Sequence, residues 1–285
     1  LSNKVNYWTG NECRKFEKEF ATWSDSKYAV SLANGTLALD IAFKALGLGN
    51  GDEVIVTSRS YIASVTSIIN SNATPIFVDI DPISQNITPD NIRAAITKKT
   101  KAIVCVHLAG WPCEMDEIMD IAKSHKLFVI EDCAHSLGGM VNEQQVGTIG
   151  DASIFSFNYD KPISLGWGGS AVINNKNAFH DFQNYVFRTP KLAEEYNLLK
   201  QFNIYLEKRR KMIPFEPKLA TKFLRKFRLL RPNIFVKDIN ISLGAIQAEL
   251  GRWCLMEYPS VVKQRNSNAN KIADSVNSKT WRIAK

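Results

Sequence analysis

The 285-residue chain has no apolar run approaching the ~18–20 residues that a membrane-spanning helix requires. Its first ten residues, LSNKVNYWTG, lack the positive start and apolar core of a secretory leader. Five cysteines are present (Cys13, Cys105, Cys113, Cys133 and Cys254), an odd number, scattered, and never spaced as C-x-x-C. This argues against a disulfide framework and a structural zinc site, and for a reducing cytoplasm. Internal repeats and low-complexity tracts are also absent. Hydrophobic residues make up 45% and charged residues 22%, ordinary proportions that exclude disordered and fibrous classes.

Acidic residues are scarce in one place. Residues 208–231, KRRKMIPFEPKLATKFLRKFRLLR, hold ten Lys and Arg against the single acid Glu216. The rest of the chain carries 26 basic and 27 acidic residues, so the net charge of +8 belongs to that segment. A nucleic-acid-binding domain more often spreads positive charge across several elements of one face, and nucleic acid is not the expected partner. From Lys218 to Leu230, apolar Leu219, Phe223, Leu224, Phe227 and Leu230 recur at helical spacing among basic residues. This predicts a basic amphipathic helix after the Pro214/Pro217 break. Three uses fit it: packing on this or a partner subunit, attracting an anionic substrate, and docking on an anionic membrane surface.

Between residues 30 and 175, short apolar runs alternate with helix-like stretches. Val54–Val56, Pro75–Val78, Ala102–Val106 and Leu127–Ile130 read as buried strands, and Leu37–Leu46, Ile62–Ile69, Pro89–Ile96 and Met115–Ser124 as the helices between them. Ala152–Phe157 and Ser170–Ile173 read as two more strands around the loop 158–169. A helix is expected from Ser242 to about Ala273. The alternation predicts an α/β fold with a mainly parallel sheet between helices, in which ligands bind beyond the carboxyl ends of the strands.

Several local patterns lie at those ends. Asn34-Gly35-Thr36 precedes the helix from Leu37; free N–H groups, a glycine and a hydroxyl form a phosphate seat, though such a turn is more often only a helix cap. Asp132, in Glu131-Asp132-Cys133-Ala134-His135, follows a strand and suits either a cationic ring nitrogen or a capping role. Lys161 sits in a glycine-bordered loop, five residues after Ser156. To act as a nucleophile it needs its ordinary pKa of about 10.4 lowered; a lone lysine is usually just solvated. Tyr61 follows Val54–Val56 and suits ring stacking or the core. Asn240 reads most simply as an N-cap.

Taken together, in this order and spacing, the patterns resemble the DegT/DnrJ/EryC1/StrS aminotransferases, pyridoxal-phosphate enzymes acting on sugars. The resemblance runs from Val5-Asn6-Tyr7-Trp8-Thr9-Gly10 to about Asn270. It includes N-G-T-x-A-L, G-x-G-D-E-V-I, A-T-P-x-F-V-D, the stretch Val106–Gly110, E-D-C-A-H, S-F-x-x-x-K…G-x-G-G and I-Q-A-E-L-G at Ile246–Gly251. It implies fold type I (aspartate aminotransferase-like) with a seven-stranded sheet, and pyridoxal 5'-phosphate as cofactor. By the same resemblance, Lys161 aligns with the lysine that binds the cofactor covalently and moves the proton. Asp132 matches the acid paired with the pyridinium nitrogen, and His135 a Gln or His near the ring hydroxyl. Tyr61 matches the stacking aromatic, Gly35, Thr36 and Ser156 phosphate contacts, and Asn240 an asparagine reaching the neighbouring subunit's phosphate, which makes the expected unit a homodimer with shared sites.

The chain departs from that pattern at Trp167, where Glu or Asp is usual, and at Ser242, where arginine is common. The stretch from Gly169 to Asn240 is longer than usual, and roughly a hundred residues of the small C-terminal domain are absent. The expected layout is a large domain over 1–250, with a basic insert at about 191–235, and the start of a small domain over 251–285. The expected activity is transfer of an amino group from glutamate to a keto group of a nucleotide-linked deoxysugar, for amino-sugar and surface-polysaccharide synthesis. Two other readings compete. Sugar dehydratases of the family carry histidine in place of the lysine, which Lys161 argues against. A non-catalytic, regulatory relative is the other.

Overall fold

The computed structural model describes residues 12–26, 28–175 and 245–275, all within one compact unit. Asn240, Ser242 and the basic segment 208–231 lie outside the described residues. In chain order the elements are α1 (Glu12–Trp23), β1 (Tyr28–Leu32), α2 (Gly35–Ala45), β2 (Glu53–Thr57), α3 (Ile62–Asn70), β3 (Thr74–Val78), α4 (Pro89–Ala95), β4 (Thr100–Val106), α5 (Met115–His125), β5 (Phe128–Asp132), the two-residue strands β6 (Met140–Val141) and β7 (Gln144–Gln145), β8 (Ala152–Ser156), β9 (Gly169–Ile173) and α6 (Ala245–Ser275).

Local chemistry sets these boundaries. Asn34 caps α2, its Oδ1 accepting from Leu37 N at 2.9 Å, and Thr88 caps α4 in the same way, with Pro89 at the first helical position. Helix α5 stops where Lys126 turns left-handed, at φ 58°. Residues Val54–Val56, Ala102–Val106 and Val129–Ile130 are β-branched or small and almost wholly buried, as strands covered on both faces must be.

Seven strands form one sheet in the order β1-β9-β8-β5-β4-β2-β3. The run β8-β5-β4-β2-β3 is parallel, whereas β9 is antiparallel to both β8 and β1. The β3 expectation needs correction. Strand β3 occupies an edge and is only half-covered, with Phe77 55% exposed. Pro75 has no N–H for a second neighbour, which suits an edge and not a buried interior strand.

On one sheet face, Phe155 and Val172 join Phe16 and Phe20 of α1 and Ala248, Leu255 and Tyr258 of α6, while Ile55, Ile103, Cys105 and Val129 pack with residues of α4 and α5. The alternate residues Val54, Val56, Val104, Ile130, Ile154 and Ala171 are equally buried on the other face, where α2 lies against β8, β9 and α3. Phe16, Phe20, Phe155 and Phe157 meet at centroid distances of 5.1–5.6 Å, mostly edge-to-face. Helix α6 runs without a break across residues 250 and 251, and crosses α1 at Gly251, where a Cβ would fall 2.6 Å from Phe16 Cε2. All the parallel strands, and β1, end on one rim of the sheet; β9 begins there, and Asn34 bridges Gly168 across it.

Candidate active site

That rim holds a cavity of about 390 Å³, within the range of small-molecule sites. Gly35, Thr36, Tyr61, Asp132, His135, Ser156 and Lys161 all line it, from strand ends, helix starts and the loops that follow β5 and β8. The structure therefore brings together every described residue singled out from the sequence.

At one side the N-terminus of α2 abuts the end of β8. A Cβ on Gly35 would sit 3.1 Å from Ser156 Cβ and 3.4 Å from its Oγ, so a glycine lets the free N–H groups of the helix stand beside the Ser156 hydroxyl. Gly169 fixes the approach from behind, since a Cβ there would fall 2.5 Å from the Asn34 carbonyl carbon.

Asp132 closes β5 and is 6% exposed. Its Oδ2 accepts from Ser64 Oγ at 2.9 Å and its Oδ1 from Ala134 N at 3.1 Å, so neutral donors hold the carboxylate in place at the cavity wall. Ser64 was not found from the sequence. The available signal is its position one turn after Tyr61 on α3, whose first turn faces the rim.

Behind Asp132 lies a buried brace. Glu131 is fully buried and accepts from Gly147 N (2.8 Å), Ile149 N (2.9 Å), Gly150 N (2.7 Å) and His107 Nε2 (3.1 Å). His107 Nδ1 accepts from Cys113 N at 3.0 Å, which places the ring proton on Nε2, facing Glu131. The His107, Glu131 and Cys133 ligand atoms lie within 4.8 Å of one another, but the histidine and carboxylate lone pairs are already engaged in these bonds. Burial pushes the Cys133 thiol up to about 12, so it is no nucleophile at neutral pH. The sequence pattern contained these residues without indicating that they grip the loop 147–150.

Lys161 reaches the cavity from the loop between β8 and β9. Its Nζ lies 3.0 Å from His135 Nε2 and 3.3 Å from Asp160 Oδ2. An ammonium only donates, so Nε2 accepts and the His135 proton sits on Nδ1. Desolvation, reinforced by the Lys161 charge, holds the His135 pKa below its usual 6.5. Tyr61, 74% exposed, caps α3 without a side-chain cap bond, leaving its ring free over the cavity. Trp167, 72% exposed, also lines the cavity. An amine, a held carboxylate, a helix N-terminus and an exposed ring on one cavity suit the binding of an anionic aromatic carbonyl compound and proton transfer beside it.

Comparison with known proteins finds similar aminotransferases and sugar-modifying enzymes. GDP-perosamine synthase of Escherichia coli O157:H7 is 49% identical over 170 residues, 60% of this chain and 47% of that protein. The dTDP-3-amino-3,6-dideoxy-alpha-D-galactopyranose transaminase of Aneurinibacillus thermoaerophilus is 41% identical over 196 residues, 69% of this chain and 50% of that protein. The X-ray structure of the aminotransferase from Psychrobacter cryohalolentis matches with a TM-score of 0.76 at 43% identity, over 96% of this chain and 63% of that one. The chain thus spans about half the length of the curated relatives it matches. The sequence model of one family matches residues 2–279, nearly the whole chain. The chain belongs to the DegT/DnrJ/EryC1/StrS aminotransferase family.

Proposed function

We propose that the chain carries the cofactor-binding part of a pyridoxal-phosphate-dependent aminotransferase that moves an amino group from glutamate to a keto group of a nucleotide-linked deoxysugar, for amino-sugar and polysaccharide synthesis. The observation that carries this reading is the convergence of Lys161, Asp132, His135, Tyr61 and the Gly35–Ser156 seat on one cavity. These residues fit pyridoxal 5'-phosphate: the free N–H groups that open α2, brought beside the Ser156 hydroxyl by Gly35, suit a phosphate, and Asp132 supplies the buried anion a pyridinium needs.

When bound, the cofactor supplies an electron sink that stabilises negative charge at the substrate carbon. The chain's residues do the rest. The α2 N–H groups, with Thr36 and Ser156, would hold the phosphate. Asp132, oriented by Ser64, would keep the ring-nitrogen proton in place, and Tyr61 would cover one ring face. Lys161 Nζ would attach the cofactor and, once displaced by the amino donor, carry the proton between substrate and cofactor carbons, an effect worth typically 10²–10⁴-fold. His135 Nε2 would take a proton from Nζ or a ring oxygen within hydrogen-bond reach.

The same proposal includes a homodimer in which Asn240 reaches the partner's phosphate, a large domain over 1–250 followed by a small one, and a cytoplasmic setting. No helix among the described residues is long and apolar enough to cross a membrane, and Cys105, Cys113, Cys133 and Cys254 stand outside any disulfide. The test is spectroscopic and chemical. The purified protein loaded with pyridoxal phosphate should be yellow, borohydride should fix the label on Lys161, and glutamate should bleach the colour. Keto-sugar nucleotides should then restore it. A colourless protein, or a label on another lysine, would overturn the reading.

A further inference from the structure

A second cavity, of about 500 Å³, adjoins the first, and Leu108, His135, Asp160 and Lys161 belong to the walls of both. Its remaining walls include Arg59, Gln85 and Arg265. We propose that this cavity is an oxyanion subsite for a reactant, with Arg59 as the recognising side chain and Gln85 as the residue that aims it.

Arg59 lies two residues beyond β2, its N–H donating to Thr57 Oγ1 at 3.0 Å. Its Nε and Nη2 both donate to Gln85 Oε1, at 3.0 and 2.8 Å. Gln85 is itself fixed. It adopts φ +59°, and its N–H donates to Asp81 O at 2.8 Å, while Asp81 Oδ1 accepts from Ile83 N and Ser84 N. A non-glycine residue kept left-handed by such a turn gives its side chain a set direction.

The choice of partner matters more than the bond count. Arg93 and Arg252 each pair with two carboxylates, which spend their charge. Arg59 is instead gripped by a neutral amide, so it is oriented with its charge uncancelled and with N–H groups left to donate. Among the described residues neither Arg59 nor Arg265 has a carboxylate within 4.0 Å. Arg265 Nη2 donates to Pro162 O at 3.3 Å, which lays its guanidinium over the Lys161–Pro162 turn. Asp160 is the acid in these walls, and it faces Lys161 Nζ at 3.3 Å. A pre-aimed, uncompensated arginine fork beside the reactive amine is built for two oxygens of an anion.

This inference rests on the proposed function for what brings the anion. Both reactants carry the same oxyanion chemistry, as the diphosphate of the nucleotide sugar or as a carboxylate of glutamate, and the experiment separates them. The full chain, loaded with cofactor, is titrated calorimetrically with GDP, UDP and dTDP and, separately, with glutamate. R59Q should weaken one class ~10–100-fold, as expected for loss of a charge-assisted bond, and flatten its salt dependence. Loss confined to the nucleotides assigns the diphosphate, and loss confined to glutamate assigns the carboxylate. Q85E is the decisive variant. A carboxylate at 85 would grip Arg59 harder and leave the melting temperature equal or higher, yet anion binding should weaken several-fold because the charge is now cancelled. A purely structural Gln85 predicts no such loss. Unchanged binding of both classes in R59Q and Q85E, or no saturable binding of any probe to the parent protein, overturns the subsite. Borohydride labelling of Lys161 in the same variants reports separately on the proposed function.

Discussion

Lys161→Ala should abolish both the borohydride label and turnover while leaving the fold intact, because the side chain reaches into a cavity and not into the core; peptide mapping of the reduced protein checks it. Asp132→Asn preserves shape and the Ser64 and Ala134 contacts but removes the charge. Amination should fall by orders of magnitude while some cofactor still binds, measured by absorbance titration alongside turnover. His135 titrates with a sign that can be worked out. Its folded pKa lies below the usual 6.5, so on acidification the unfolded chain takes up the proton first, and stability should fall as pH drops through about 6.5. Lys161→Ala should raise the His135 pKa, though burial keeps part of the depression; a proton NMR titration of the imidazole reads this directly. The residues found from the sequence are those whose chemistry shows locally, at strand ends beside glycines. Ser64, His107 and Glu131 act through contacts between segments distant in the chain, as Ser64 to Asp132 and His107 to Glu131 do, and one-dimensional spacing does not name those partners.

Among the elements, the helices and the longer strands of residues 35–156 were legible to within about two residues, because each apolar run is flanked by a cap or turn residue with a mechanism. Helix α1, strand β1 and the two-residue strands β6 and β7 were not. Helix α1 and strand β1 precede the clear alternation and find their partners, α6 and β9, more than a hundred residues later. The edge position of β3 depends on which strands lie beside it, which its Val, Ile and Phe content does not state. The β5 end is the element on which the site depends most. Glu131→Ala would leave three N–H groups and the His107 Nε2–H buried without an acceptor, and should cost about 3–5 kcal/mol in urea denaturation. Gly35→Ala should be mild for stability, because Ser156 must give way by only a few tenths of an ångström, but should weaken cofactor affinity measured by absorbance. Gly169→Ala meets backbone at 2.5–2.7 Å and should destabilise the whole rim.

At the scale of the whole molecule, α1 and α6 lock the N-terminal segment to residues far along the chain. Arg252 bridges Glu19 and Glu249 at 2.7 Å, half-exposed and worth at most about 1 kcal/mol, whereas Tyr258 Oη donates to the buried Leu137 O at 2.9 Å. Tyr258→Phe should lower stability by about 1 kcal/mol, and Gly251→Ala by about 1–3 kcal/mol as its methyl meets Phe16. The antiparallel β9 has a further bearing, on synthesis at the ribosome. Among the described residues strand β1 has β9 as its one neighbour in the sheet, so Val30 and Leu32 leave the exit tunnel about 140 residues ahead of the strand that pairs with them. At ordinary translation speeds of roughly 5–20 residues per second, that is a wait of about 7–28 seconds with an unpaired apolar strand in the open. During that interval the nascent chain is a substrate for holding chaperones and for pairing with its neighbours on the same message.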